Sequence, residues 1–400
     1  MSEPLVIIGQ GMAATKLVEE LSLRALGRYS IIVIGREPHR AYNRVLLSSL
    51  LAGEVAASEL ELKPSNWWGR QGVTNIFGRC VSAIDPLAKL VTLENGVSFA
   101  YEKLVLATGS HPIMLPIPGM DLPGAMSFRV MADVTAMTRG AQKGRPAVVI
   151  GGGLLGIEAA YGLAQAGVKV TLIHLMDRLM ERQLDPLAAC LLKEQIEMKG
   201  VEVLLQAETA CIKGTDKVEA VLLKDGREIP ADIVVCAIGV RPNADLARAA
   251  GLEVNRGILV SDGLETSDPS IFALGECVEH RGVAYGLVEP AYEQARILAR
   301  RLAGDAQAAY PGSVLATNLK VSGVSVFSAG DFLGQDKDTI VFKDEGRGVY
   351  KKLVVDDDRL TGAVLYGDTA DGLWYLDLMR KKAEVSGMRH DLIFGPQPKA

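Results

Sequence analysis

The stretch AVVIGGGLLGIE, residues 147–158, decides the fold. An apolar run long enough for a buried strand ends on Gly151, Gly153 and Gly156 at GxGxxG spacing, and a helical pattern follows. The chain opens on the same device: LVIIGQGMAA, residues 5–14, places Gly9, Gly11 and Ala14 at GxGxxA spacing. A second strand-like run follows each helix, SIIVIG at 30–35 and VKVTLI at 168–173. Each is a strand–turn–helix–strand unit of the kind that holds a dinucleotide. The first glycine makes the tight turn, the second lets backbone approach a pyrophosphate, and the third position must be small for the helix to pack on the strand. The pyrophosphate then meets the unpaired N–H groups of a helix N-terminus. One such fingerprint is weak, but two, each with both strands and the helix, are hard to obtain by chance.

Two sites imply two dinucleotides, and the simplest pair is FAD with a nicotinamide nucleotide, between which a hydride can pass. Three other strand-like runs end in turns that fit: YEKLVLATGS (101–110) at Thr108-Gly109, DIVVCAIGVRPN (232–243) at Gly239, and TSDPSIFALGEC (266–277) at Gly275-Glu276.

The bulk properties set bounds. At 400 residues the chain is expected to form more than one domain. With 48% apolar and 23% charged residues it reads as globular, and a net charge of −5 gives no footprint for nucleic acid or an anionic membrane surface. The start, MSEPLVIIG, lacks a basic segment before its apolar run, and no apolar run reaches the roughly 20 residues of a membrane span, so the expected location is cytoplasmic. The five cysteines are dispersed with no CxxC pair, which predicts no disulfide framework and no zinc or iron–sulfur site.

On the motifs ATGS, GGGLLGIEAA and TSDPSIFALGE the whole chain resembles the two-dinucleotide flavoprotein reductases of the pyridine nucleotide-disulfide oxidoreductase superfamily. AYNRVLLSS, GGGLLGIEAA, LMERQLD and YGLVEPAYEQA make it most similar to the FAD and NAD(P)H module of assimilatory nitrite reductase large subunits and nitrate reductase electron-transfer subunits. The resemblance implies an α/β fold of two Rossmann-like domains plus a small α+β C-terminal domain. The FAD domain is expected over 1–112 and 242–310, the NAD(P)H domain over 113–241, and the C-terminal domain over 311–400. Gly9, Gly11 and Ala14 would hold the FAD pyrophosphate, Glu37 its adenosine ribose, with Arg36 the competing side chain there. Arg44 would neutralise phosphate charge, Thr108 and Gly109 would line the flavin side, and Glu276 would take the place of a more usual aspartate.

At the second site Gly151, Gly153 and Gly156 would hold the NAD(P)H pyrophosphate. Glu158 corresponds to a glutamate that lies near the nicotinamide in related reductases; as a carboxylate in the first helical turn it is also a favourable dipole partner. In VTLIHLMDRLM, residues 170–180, the strand ends on His174 where an acidic residue would bind a ribose 2′-hydroxyl. His174 and Arg178 suit a 2′-phosphate, whereas a glycine at 156 is the form more usual with NADH, which is the nucleotide expected, with dual use open.

The resemblance also fixes where electrons leave. Disulfide reductases of this kind relay them through cysteine on the helix formed by residues 39–53, HRAYNRVLLSSLLAG, but this chain has Ser48 and Ser49 there. Ferredoxin and rubredoxin reductases commonly read LSK where this chain reads LSS. Direct exit from the flavin to a separate redox protein is therefore expected: a nitrate or nitrite reductase subunit or a ferredoxin-like carrier. The alternatives are a ferredoxin or rubredoxin reductase serving an oxygenase, and a redox-sensing flavoprotein. The cysteine-rich iron–sulfur and sirohaem regions of nitrite reductases are not among these residues, so nitrite reduction by this stretch alone is not expected. From residue 314, strand-like alternation broken by DEGRG and DDDR predicts a small antiparallel sheet with a helix from about 371. In the resembling family such a domain helps form homodimer or partner surfaces, which Trp374 and Tyr375 could line, a core role being the alternative.

Overall fold

Leu5, Val6, Ile7 and Ile8 are almost wholly buried because their strand, Glu3–Ile8, is the middle one of five. The structure, a computed structural model, describes residues 2–321 and 324–396. The chain divides into two units: one made of Met1–Leu47, Val55–Pro112 and Val240–Ser313, the other of Ser48–Glu54, Ile113–Gly239 and the chain from Val314.

In the first unit the parallel strands run in the order Ile271–Ala273, Lys103–Leu106, Glu3–Ile8, Tyr29–Ile34, Thr74–Ile76. Alternation along the central strand sends Leu5 and Ile7 to one core, with Leu17 and Leu21 of the helix Met12–Arg24 and Leu298 and Leu302 of the helix Val288–Leu302. Val6 and Ile8 face another core, with Ile84, Val91 and Ile258. Burial on both faces is why the run is continuously apolar. The first crossover leads to one neighbour of the central strand, and Lys103–Leu106 lies on its other side, so the glycine turn sits where the strand order reverses.

The second unit repeats this plan. Its parallel order is Val201–Leu204, Lys169–Ile173, Pro146–Ile150, Ile233–Cys236, Ala125–Ser127, again with a fingerprint strand in the middle. Its C-terminal part is a five-stranded antiparallel sheet in the order Ala316–Val321, Val324–Gly330, Arg359–Tyr366, Val349–Asp356, Asp338–Asp344. The expected helix is Gly372–Lys381, which packs Tyr375, Leu376 and Met379 on Phe327, Leu353 and Leu365. Tyr375 is wholly buried and donates to the Leu392 carbonyl at 2.7 Å, and Trp374 packs on the same cluster, so both take the core role. The DDDR turn is an exposed hairpin tip: Asp357 and Asp358 have φ of 47° and 54°, the conformation a two-residue hairpin loop needs. Within this unit the Tyr350 hydroxyl donates to Asp185 at 2.7 Å, tying the sheet to the N-cap of the helix Pro186–Met198.

Among the described residues no helix is long and apolar enough to cross a membrane, and no group of three or more His, Cys, Asp or Glu is placed to hold a metal ion.

Candidate functional site

Both glycine turns are built alike. Gly9 has φ +111° and Gly151 φ +119°, a region closed to most L-residues. A Cβ on Gly9 would lie 2.0 Å from the Ala107 carbonyl oxygen, and one on Gly151 2.4 Å from that of Ala237. The adjacent parallel strand thus crowds each turn from one side. Gly9 N–H donates to Ile34 at 2.8 Å and Gly151 N–H to Ile173 at 2.9 Å, pinning each turn to the end of its second strand. Gly11 and Gly153 cap the two helices with no side-chain partner, and a Cβ on either meets nothing within 4 Å. Space lies where backbone N–H groups of a long helix converge, the cradle a pyrophosphate needs. The residues fit a dinucleotide in each unit.

The third position differs. A Cβ on Gly156 would lie 1.8 Å from the Gly151 carbonyl oxygen, so only glycine fits, whereas Ala14 sits fully buried in the core beneath its turn.

Around the first turn the structure gathers the other expected residues of that unit. Glu37 follows the strand Tyr29–Ile34 and is partly exposed; it accepts from the Tyr42 hydroxyl at 2.7 Å and from the Arg44 guanidinium, which lies 5.1 Å over the Tyr42 ring. The two expected ligands are therefore partners of one another, presented as a set. Thr108 Oγ1 donates to the Asn243 carbonyl at 2.7 Å and the Asn243 amide returns a bond to the Thr108 carbonyl at 2.8 Å; Gly109, at φ +68°, accepts from Asn243 N–H at 2.9 Å. Gly275, at φ +85°, comes against Ala13: a Cβ there would be 3.1 Å from that of Ala13. Glu276 follows it and accepts from Ser110 Oγ at 3.0 Å. Gly275 N–H donates at 2.7 Å to Gln294, a wholly buried side chain whose Nε2 has no partner, an orphaned donor beside the turn.

In the second unit the helix begins at Leu154, directly after the extended Gly153, so Glu158 is its fifth residue and the first turn holds no acid. The dipole reading of Glu158 is thereby replaced: the carboxyl sits one turn deeper. Burial pushes it up to about 7, against a hydrogen bond from Ser48 that pulls it down. One turn on, Leu51 fills the notch at Gly162, where a Cβ would lie 2.8 Å from Leu51 Cγ; the serine-bearing segment is thus held on this helix at two points. Gly239, at φ +129°, accepts from Ile113 N–H at 3.0 Å.

His174 and Arg178 are placed differently from the expectation of phosphate ligands. Gly152 N–H donates to His174 Nδ1 at 3.0 Å, and His174 Nε2 lies 3.0 Å from Glu181. Arg178 donates to both carboxylate oxygens of Asp177, at 3.1 and 3.3 Å. Asn243, Ser110, Gln294 and Glu181 escape the sequence reading as functional residues, and Ser48 enters it only as the residue in place of a relay cysteine. Each of the five lies inside a stretch the sequence marks, Asn243 in VRPN, Ser110 in ATGS, Gln294 in YGLVEPAYEQA, Ser48 in AYNRVLLSS and Glu181 in LMERQLD, but nothing in the spacing gives its partner.

None of the five cysteines is disulfide-bonded. Cys277 follows Glu276 but is wholly buried, and burial pushes its thiol up, away from the reactive thiolate.

Residues 3–295 match a sequence family described as pyridine nucleotide-disulphide oxidoreductase, and residues 316–383 match the rubredoxin NAD+ reductase C-terminal domain. The chain is similar to a nitrite reductase [NAD(P)H] of Bacillus subtilis (strain 168), 44% identical over 383 residues, 96% of this chain and 48% of the relative. It is likewise similar to the assimilatory nitrate reductase electron transfer subunit of that organism, 42% identical over 390 residues, 97% of this chain and 51% of the relative. The chain thus spans about half the length of these curated relatives. Among solved structures, the covalent putidaredoxin reductase–putidaredoxin complex superposes with a TM-score of 0.86 at 27% identity, covering 96% of this chain and 94% of that one.

Proposed function

We propose, since this chain belongs to the pyridine nucleotide-disulphide oxidoreductase family, that it is an FAD-dependent oxidoreductase that takes electrons from NADH or NADPH and delivers them to a nitrate or nitrite reductase, directly or through a small iron–sulfur carrier. The observation that carries this reading is the pair of open glycine cradles, one in each unit, with the same backbone geometry. The similarity to a nitrite reductase and to a nitrate reductase electron transfer subunit supports the acceptor. We place the protein in the cytosol, where NAD(P)H is supplied.

FAD, when bound, accepts two electrons as hydride and releases them singly, which couples a nicotinamide to a one-electron redox protein. The chain's part is to bind and to orient. Gly11 and the N–H groups of the Met12–Arg24 helix would hold the FAD pyrophosphate, and the Glu37–Arg44–Tyr42 set would present a hydrogen-bond acceptor and a cation at the adenosine side. The Thr108–Asn243 bonds stiffen the turn assigned to the flavin side, and Ser110 orients Glu276. Gly153 and its helix would hold the nicotinamide nucleotide. The Ser48 hydroxyl, standing where a relay thiol would be, carries no redox chemistry, so electrons must leave without a protein thiol.

A second reading, a ferredoxin or rubredoxin reductase, is favoured by the match of residues 316–383 to a rubredoxin reductase domain and by the likeness to putidaredoxin reductase. One experiment addresses both. The purified protein should carry FAD, bleach anaerobically with NADH or NADPH, and reduce ferricyanide. It should then drive nitrate or nitrite reduction when mixed with a separately purified reductase. An FAD-loaded protein that stays oxidised under both nucleotides overturns the reductase reading; one that reduces only a rubredoxin or ferredoxin of an oxygenase selects the second.

A further inference from the structure

His174 is the first residue after the strand Lys169–Ile173, the position from which a nucleotide-binding turn usually offers a carboxylate to the ribose 2′-hydroxyl. Its ring turns back instead. An amide N–H can only donate, so Nδ1, which accepts from Gly152, carries no proton, and the ring proton lies on Nε2, aimed at Glu181 Oε2 at 3.0 Å. The ring is packed into the turn: a Cβ on Gly152 would lie 2.7 Å from His174 Cγ, and the residue is only 9% exposed. A histidine so enclosed has both ring nitrogens engaged within the protein and presents neither to a phosphate.

The carboxylate missing from the strand end is delivered from seven residues further on, across the width of that ring. Glu181 keeps one oxygen on His174. Among the described residues the ion pair made by its other oxygen, Oε1, is with the Arg182 guanidinium, at 3.9 Å on a side chain 87% exposed. Of the other charges there, Arg178 donates to Asp177 through Nη1 while its buried Nε has no partner among the described residues, and Asp185 caps its own helix and accepts from Tyr350. A fixed carboxylate accepts from a ribose hydroxyl and repels a 2′-phosphate.

We propose that Glu181, oriented by His174 against the glycine turn, reads the adenosine ribose 2′-position and makes this chain select NADH over NADPH. The proposal rests on the reading of the second cradle as the nicotinamide nucleotide site. Calorimetric titration of the FAD-loaded protein with NAD+ and NADP+, neither of which reacts, tests it. The parent should bind NAD+ about tenfold or more tightly than NADP+, the size of one charge-assisted hydrogen bond. Glu181→Gln should weaken NAD+, strengthen NADP+ and remove most of that ratio, while Glu181→Asp restores part of it; Arg182→Gln should leave the preference for NAD+ standing. Glu181→Gln protein that retains FAD and binds NAD+ with the parental ratio overturns the assignment, as does a parent with equal affinities. A parent that binds neither nucleotide overturns the functional reading itself.

Discussion

The first turn and the second turn share a backbone and differ in what surrounds it. Gly9 and Gly151 have nearly the same φ, and Gly11 and Gly153 leave the same open space. Beside the first, Glu37 is partly exposed and paired with Arg44 and Tyr42; beside the second, the corresponding place holds a buried histidine clasped between Gly152 and Glu181. The fifth helical residue differs as well: Lys16 is satisfied by Glu19 and Glu20 at 2.9 and 2.8 Å, while Glu158 is desolvated and, among the described residues, makes no ion pair. The cradle is generic, and side chains arriving from elsewhere in the chain make each copy particular.

The largest expected effect breaks the two copies apart. Gly11→Val and Gly153→Val put side chains into empty space, so the fold should stand while FAD binding in the first case, and NAD(P)H binding in the second, falls about 1000-fold, ~4 kcal/mol. Flavin content and nucleotide titration of each variant read this out; a variant that loses the other nucleotide would show that the cradles are misassigned.

Glu158 should give the pH signature. Its carboxyl is raised from 4.5 to about 7, so the folded state holds that proton more tightly than the unfolded chain. The stability this contributes is full below about pH 4.5 and is lost as pH rises to about 7, at most about 3 kcal/mol. Urea unfolding at pH 5 and pH 8 should show Glu158→Gln flattening that fall, whereas Lys16→Gln leaves it intact, because the partners of Lys16 raise its pKa above the ordinary 10.5, outside this window.

Third in size are the third motif positions. Gly156→Ala meets the Gly151 carbonyl and should cost about 2 kcal/mol by overpacking, with lost nucleotide affinity. The reciprocal Ala14→Gly should cost only about 1 kcal/mol, from helix propensity, with FAD retained. Equal costs would mean that the second turn relaxes more freely than its packing suggests. The smallest effect is that of Ser48→Ala: removing a bond that pulls Glu158 down should move the midpoint of the stability fall upward by less than about one pH unit, measured by the same unfolding series.

Much of the site was legible because its constraints are local. A turn that needs positive φ, a close backbone approach and an open helix end can be built only by small residues at fixed spacing, so Gly9, Gly11, Gly151, Gly153 and Gly156 announce themselves. The parallel sheets were legible for the same reason, since a strand buried on both faces must be apolar throughout. The spacing alone puts Glu158 one turn too early, because the first helical residue depends on where the extended Gly153 ends. The spacing presents His174 as a ligand because its position in the motif is that of a ligand; the bond from Gly152 that turns its ring inward leaves no mark in that spacing.

By itself the sequence determined two dinucleotide cradles in an α/β chain and, through the family resemblance, serines where a relay would carry cysteine. These follow from backbone sterics and from which atoms can accept electrons. The tertiary structure alone decided that Arg44 pairs with Glu37, that Asn243 ties down Thr108, that Ser48 bonds to a buried Glu158, and that Glu181 pairs with His174. Each joins residues whose separation in the chain runs from 7 positions to 135, and a side chain's partner is set by what folding brings beside it rather than by its neighbours along the chain.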